Sequence, residues 1–387
     1  MKRRLLAWSL WFALSLDLLA GRQSVAADEA YPRTVVDIAQ RRVTIQAPPQ
    51  RIYLQNGNHL TMLALLEREN PFARLVAWNN SIRPSDPTLW ALFEQTWPQA
   101  REIPQLRLET SGDGDLERIV WIDPDLIVLD IKMRAALEGG ALGPLLERLG
   151  IAVLYVDDQS DPLANTRRSV EILGEVLGRQ ARAREYVDFY SEHLNALHAA
   201  IRDAPRPLVF LEVRAGRLGL DQCCYSQNRT SWAQLIEGVF ARNYASDYLP
   251  GASGDIALEM LIARPPDVYF MTGTPFARET SRAIPFGYGV DEARVQAAMR
   301  KLMARPGFDR VAITRGCVIG ITHQFFDSAF NIIGMEYLAK ALHPQRLAGL
   351  SPQDDYRQLI ARFTGLPDRP FLLAAQRGLD GTPGCPP

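Results

Sequence analysis

Two distant segments of the 387-residue chain carry one arrangement of residues, and this limits the fold more than any other feature. The first runs Glu117-Arg-Ile-Val-Trp-Ile-Asp-Pro124-Asp125-Leu-Ile-Val-Leu129, the second Glu259-Met-Leu-Ile-Ala-Arg-Pro-Pro266-Asp267-Val-Tyr-Phe-Met271, with glutamate, proline and aspartate in register. In each, a helical stretch begins near the glutamate. The proline stops it, because it lacks an N–H and its ring clashes with the preceding turn. An apolar segment then reads as a buried strand. Two such units far apart predict two lobes of related architecture. Each lobe also opens on a strand pattern, Arg51 to Gly57 in one and Pro207 to Gly216 in the other. Strands alternating with helices make both lobes α/β.

Between them, from about Pro162 to Ala204, no strand pattern occurs. Arg179 to Arg202 contains neither Pro nor Gly, and Tyr186, Phe189, Tyr190, Leu194 and Leu197 fall on one stripe. This spacing predicts one helix of about six turns, a stiff strut between the lobes. The expected plan is an N-terminal lobe over 28–160, connecting helices over 161–204 and a C-terminal lobe over 205–366. The Pro- and Gly-rich residues 367–387 read as a poorly ordered tail.

Lys2, Arg3 and Arg4 precede an apolar stretch from Leu5 to about Ala20 and the small residues Ser24 to Ala27. That order is an export signal, with cleavage after Ala26 or Ala27 and a periplasmic product. The apolar run is interrupted by Asp17 and falls short of the ~20 residues of a spanning helix. With 43 basic and 44 acidic residues spread along the chain, no basic stripe for nucleic acid exists. Cys223, Cys224, Cys317 and Cys385 would enter an oxidising compartment, where three pairings are formally allowed. The adjacent pair lacks zinc-knuckle or Cys-x-x-Cys spacing, which favours a structural role.

The order of these pieces resembles the periplasmic binding proteins for ferric siderophores, haem and vitamin B12. The likeness runs from Tyr31-Pro-Arg-Thr-Val-Val-Asp37 and Val43 to Arg51, through both repeats and Leu149-Gly-Ile-Ala-Val-Leu-Tyr-Val-Asp157, to His323-Gln-Phe-Phe-Asp-Ser-Ala-Phe-Asn331. It implies two Rossmann-like α/β lobes joined by a single long helix. It also implies a monomer that passes an iron complex to an ABC permease and ATPase at the inner membrane, with no cofactor of its own. In that family a glutamate on each lobe pairs with permease arginines, and Glu117 and Glu259 match those positions. Such charges mainly set register and encounter rate. The bland alternative is an acid favoured near a helix N-terminus, with Asp115 as cap for the first. The family often has a serine two residues before the second glutamate, where this chain has Ala257.

Ligands of open α/β sheets sit beyond the carboxyl ends of the strands. That places Tyr53, Asn56, Trp78 and Lys132 on one wall of the cleft. Arg214, Tyr225, Trp232, His323, Phe325 and Phe326 belong on the other. Arg214 is the candidate for charge-assisted hydrogen bonds to ligand oxygens and Trp232 for an apolar wall. Five histidines, without a His-x-x-x-His pair, disfavour a bare divalent metal as cargo. His193 and His198 sit five apart on the strut and read as solvent-exposed. Tyr53, His59 and Tyr225 are each candidate axial ligands should the cargo be haem, and a corrinoid is a further alternative.

No Gly-x-Gly-x-x-Gly after a strand, phosphate loop, Gly-x-Ser-x-Gly elbow or His-Glu-x-x-His occurs. An enzyme is therefore not expected. A secreted hydrolase with dispersed catalytic residues and a sensor lobe are the readings from other classes. A continuous interlobe helix resists bending, so small lobe shifts are expected on capture.

Overall fold

The computed structural model describes residues 31–109, 114–140, 142–221, 223–275, 281–313 and 315–379. The expected export segment and Cys385 lie outside the described residues.

A hairpin of β1 (Arg33–Val36) and β2 (Arg42–Ile45) opens the chain. The first lobe is a four-stranded parallel sheet of β3 (Ile52–Leu54), β4 (Leu75–Trp78), β5 (Leu126–Asp130) and β6 (Ala152–Val156), in the order β4-β3-β5-β6. Its two central strands, β3 and β5, are buried along their whole length, which is why they read as unbroken apolar runs. Helix α1 (Leu116–Trp121) runs into the turn before β5.

Two helices lead out of this lobe. In α2 (Pro162–Leu177), Asp161 caps the Ala164 N–H, Pro162 takes the first turn and Gly178 closes the end at φ 69°. The strut is α3 (Gln180–Ile201), 22 residues without a break. All five expected stripe residues are buried. Arg182 on α3 donates to the carbonyls of Leu65 in the first lobe and Phe363 in the second, so one guanidinium ties the strut to both.

The second lobe contains β7 (Leu208–Glu212), β8 (Tyr225–Gln227), helix α4 (Trp232–Gly238), β9 (Arg242–Asn243), β10 (Ser253–Asp255), helix α5 (Leu258–Ala263), β11 (Val268–Gly273), β12 (Gly287–Tyr288) and β13 (Cys317–Thr322). Helices α6 (Asn331–Leu342) and α7 (Pro352–Phe363) and strands β14 (Phe371–Leu372) and β15 (Ala374–Gly378) follow. The main sheet has the order β15-β13-β11-β7-β9, parallel except for β15.

The duplicated aspartate does the same job in both lobes. Asp125 accepts hydrogen bonds from the N–H groups of Gln50 and Arg51, and its own N–H donates to the Arg51 carbonyl at the entrance to β3. Asp267 accepts from the Leu208 N–H and donates to the Leu208 carbonyl at the entrance to β7. Each pair fixes the register between the first strand of its lobe and the strand after the repeat.

The expectation of a poorly ordered tail over 367–387 is corrected up to residue 379. β15 pairs with β13 from Cys317 opposite Gly378 to Ile321 opposite Ala374. All six residues of β13 are buried, and a buried strand needs its N–H and C=O groups satisfied on both sides. Pro and Gly content reports local flexibility and says nothing of a ladder partner elsewhere. The histidines of the strut are corrected too. His193 Nδ1 lies 2.6 Å from Glu336 Oε1 and His198 Nε2 lies 2.7 Å from the Gly238 carbonyl, so each has a partner at the edge of the core.

Candidate functional site

The carboxyl ends of β3, β5 and β6 face those of β7, β11 and β13, and a cavity of about 630 Å³ lies there. From the first lobe it is lined by Lys132 and Gln159. From the second come Glu212, Arg214, Arg217, Cys223, Tyr225, Asp255, His323 and Phe326.

Arg214 lies two residues beyond the end of β7 at φ 51°, and its N–H donates to Thr272 Oγ1 at 2.8 Å. The Thr272 hydroxyl reaches His323 Nδ1 at 2.9 Å. Burial, with the Arg214 and Arg217 charges behind it, holds the His323 imidazole well below its ordinary pKa. His323 is therefore neutral. The Thr272 hydroxyl thus links the Arg214 backbone to the neutral imidazole. Phe326 packs edge-on against this ring at 4.8 Å. Tyr225 is 44% exposed and donates its hydroxyl hydrogen to Ser253 Oγ at 2.6 Å.

Glu212 takes part in the lining but not as a net charge. Arg305 grips it with two hydrogen bonds of 2.5 and 2.7 Å, and Tyr269 donates a third at 2.8 Å. The other charged side chains in the lining are Lys132, Arg214, Arg217 and Asp255. Cys223 and Cys224 are joined to each other in a disulfide at this rim, and Cys317 is disulfide-bonded as well.

Beside the cavity lies a cluster that sequence reasoning missed. His59 Nε2 lies 3.3 Å from Asp158 Oδ1 and 3.7 Å from Asp130 Oδ2, all three side chains being buried. Across the lobe boundary Asp327 accepts from Asn58 Nδ2 at 2.5 Å and Gln159 Nε2 at 3.0 Å. Burial alone would lower the His59 pKa, but the Asp158, Asp130 and Asp327 carboxylates raise it to about 9. Burial, reinforced by Asp158, pushes Asp327 well above the carboxylate range. The His59–Asp158 pair lies within the first lobe, and Asp327 links its surroundings to the second lobe through Asn58 and Gln159.

The expected site residues divide. Lys132, Arg214, Tyr225, His323 and Phe326 line the cavity. Four aromatic residues do not, and these are corrections. Trp232 is fully buried with its indole N–H on the His323 carbonyl at 2.9 Å, so it supports the cavity wall from behind. Tyr53 is fully buried and donates to the Leu106 carbonyl. Trp78 is enclosed among Phe72 and Trp90. Phe325 is stacked on Tyr337. Asn56 turns to Asp130 and Ser81 and caps the turn at Asn58. Glu117 and Glu259 are exposed on α1 and α5. Asp115 does not cap α1 with its side chain, which instead accepts from the Arg107 N–H and Arg118.

Two α/β lobes, a stiff connecting helix and a cleft at facing strand ends define a class, the two-lobed solute-binding proteins. The chain belongs to the periplasmic binding protein family, whose model matches residues 92–315. It is a solute-binding protein of the ABC-transporter type, with a permease and a small-molecule ligand as its partners. The family places it in the periplasm, and among the described residues no helix is long and apolar enough to cross a membrane. Among solved structures, the TroA-like periplasmic binding protein FepB from Veillonella parvula is similar at 21% identity and a TM-score of 0.79, over 89% of this chain and 99% of that one. Helicobacter pylori CeuE in a nickel–histidine complex matches at 14% identity and 0.62, over 87% and 96%. Haemophilus influenzae MolA bound to molybdate matches at 13% and 0.61, over 86% and 97%. These likenesses establish the fold. No curated protein matches.

Proposed function

We propose that the cleft captures a ferric siderophore and that the protein delivers it to an inner-membrane ABC importer. The observation that carries this reading is the grouping of three cationic side chains, Lys132, Arg214 and Arg217, around a cavity of about 630 Å³ with an aromatic rim. A ferric chelate already coordinates its metal and presents anionic oxygens, so it needs cations and an apolar wall rather than metal ligands. The cavity is roomy for a tetrahedral oxyanion. Two candidate haem ligands, Tyr53 and His59, are sealed in the interior, which weighs against haem.

The test is tryptophan quenching during titration with ferric hydroxamate, catecholate and carboxylate siderophores, hemin and cyanocobalamin. Trp232 lies directly behind His323 and is the expected reporter. Saturable binding of one ferric chelate supports the proposal, and binding confined to hemin or cobalamin replaces the cargo. Arg214→Glu is expected to weaken chelate binding ~10- to 100-fold, the worth of a lost charge-assisted hydrogen bond. An unchanged Kd would remove Arg214 from the site.

Residues 1–27 are proposed to be the export signal, cleaved in the mature protein. Glu117 and Glu259, exposed on equivalent helices, are proposed to dock the permease. The double variant Glu117→Ala, Glu259→Ala is expected to keep its ligand Kd and to lose most uptake in cells. Undiminished uptake would refute the docking role.

A further inference from the structure

Away from the cleft, three helices converge on a second polar cluster. His193 of α3, Glu336 of α6 and Asp355 of α7 bring one ring nitrogen and two carboxylate oxygens within 4.8 Å of one another. Glu336 is only 1% exposed, and its buried Oε2 receives no hydrogen bond from a donor group among the described residues. His193 and Asp355 are half-buried at the edge. His193 Nδ1 faces Glu336 Oε1 at 2.6 Å. Lys340, one turn beyond Glu336, donates its ammonium to the Leu350 carbonyl. The cluster therefore holds two carboxylates against one imidazole, with a carboxylate oxygen turned inward and unsatisfied.

We propose that His193, Glu336 and Asp355 form a divalent transition-metal site of the Zn2+ type, distinct from the cargo cleft. One imidazole and two carboxylates are a donor set for Zn2+, Mn2+ or Ni2+, with a fourth position for water. Bonds of ~2.0–2.2 Å place ligand atoms ~3–3.5 Å apart, a spacing that the half-buried His193 and Asp355 reach by small rotations while packing holds Glu336. The ion also supplies the charge that the inward Glu336 oxygen lacks. It would tie the strut to the two terminal helices of the second lobe, so its role is structural, independent of the cargo.

The experiment is calorimetric titration of chelator-stripped protein with ZnCl2, MnCl2 and NiCl2. Visible absorption of the Co2+ form reports nitrogen–oxygen ligation. One saturable equivalent is expected, with a rise in the thermal midpoint. Asp355→Asn and His193→Gln, both at the edge of the core, are expected to weaken binding at least 10-fold while melting cooperatively without metal. Arg214→Glu in the cleft should leave metal binding intact. Absence of saturable uptake by the unmodified protein, or uptake that survives both substitutions, overturns the proposal. Neither result bears on siderophore binding, which the quenching titration reads separately.

Discussion

Replacing His59 with alanine is expected to cost about 3–5 kcal/mol of folding stability, because it strips the cation from a buried carboxylate cluster. Asp158 would then lie buried without its partner, beside Asp130 and Asp327. Asp327→Asn should change stability by less than about 1 kcal/mol near neutral pH, because burial already keeps this carboxyl protonated and an amide oxygen can accept from Asn58 and Gln159 in its place. The same cluster sets a pH dependence. The folded His59 pKa of about 9 lies above the unfolded value of 6.5, so its stabilisation is fully present below pH ~6.5. It is lost as pH rises through about 9, with a slope of up to ~1.4 kcal/mol per pH unit. The raised Asp327 carboxyl acts in the same direction, since the native state holds its proton more firmly than the unfolded chain. Urea midpoints at pH 6, 7, 8 and 9 should fall steadily in the unmodified protein and much less in the His59 variant. A flat profile would show that His59 is not charged in the folded protein.

Arg305→Met is expected to destabilise by a similar ~3–5 kcal/mol, because it leaves Glu212 buried beneath the cavity with the Tyr269 hydroxyl as its remaining donor among the described side chains. Both partners of this pair are at most 4% exposed, so solvent does little to screen the loss. The double variant Arg305→Met, Glu212→Leu should recover most of that stability, since replacing both members of a buried pair by apolar residues is often neutral. Chemical denaturation of the two singles and the double measures the coupling directly. If Arg305→Met alone costs less than about 1 kcal/mol, the pair does not support the cavity floor.

Much of the framework was legible because periodicity and punctuation are local. The strut shows itself as a run without Pro or Gly and with an apolar stripe, and the helix–turn–strand repeat through Pro124-Asp125 and Pro266-Asp267. The cavity was legible only in part. Arg214, His323 and Lys132 sit just past strand ends, where topology alone puts ligand contacts. Trp232, Trp78, Tyr53 and Phe325 occupy similar positions, yet one step of register decides whether such a side chain faces the cleft or the core. The His59 cluster left no local trace, since the Asn58–Asp327 contact joins residues 269 positions apart. Its one available sign was Asp157-Asp158-Gln159 at the end of a strand pattern, a loop just past β6 that turns toward the cleft. The tail failed for the same reason, because β15 is defined by its partner.

That partnership bears on synthesis. β13 is complete in the nascent chain some fifty residues before β15 is made, counting from Thr322 to Ala374. Until then Cys317 to Thr322 form an open, apolar edge able to pair with another unfinished copy. Premature termination near residue 370 would leave that edge exposed for good. A chain so shortened is a candidate for deposition in aggregates rather than for partial activity.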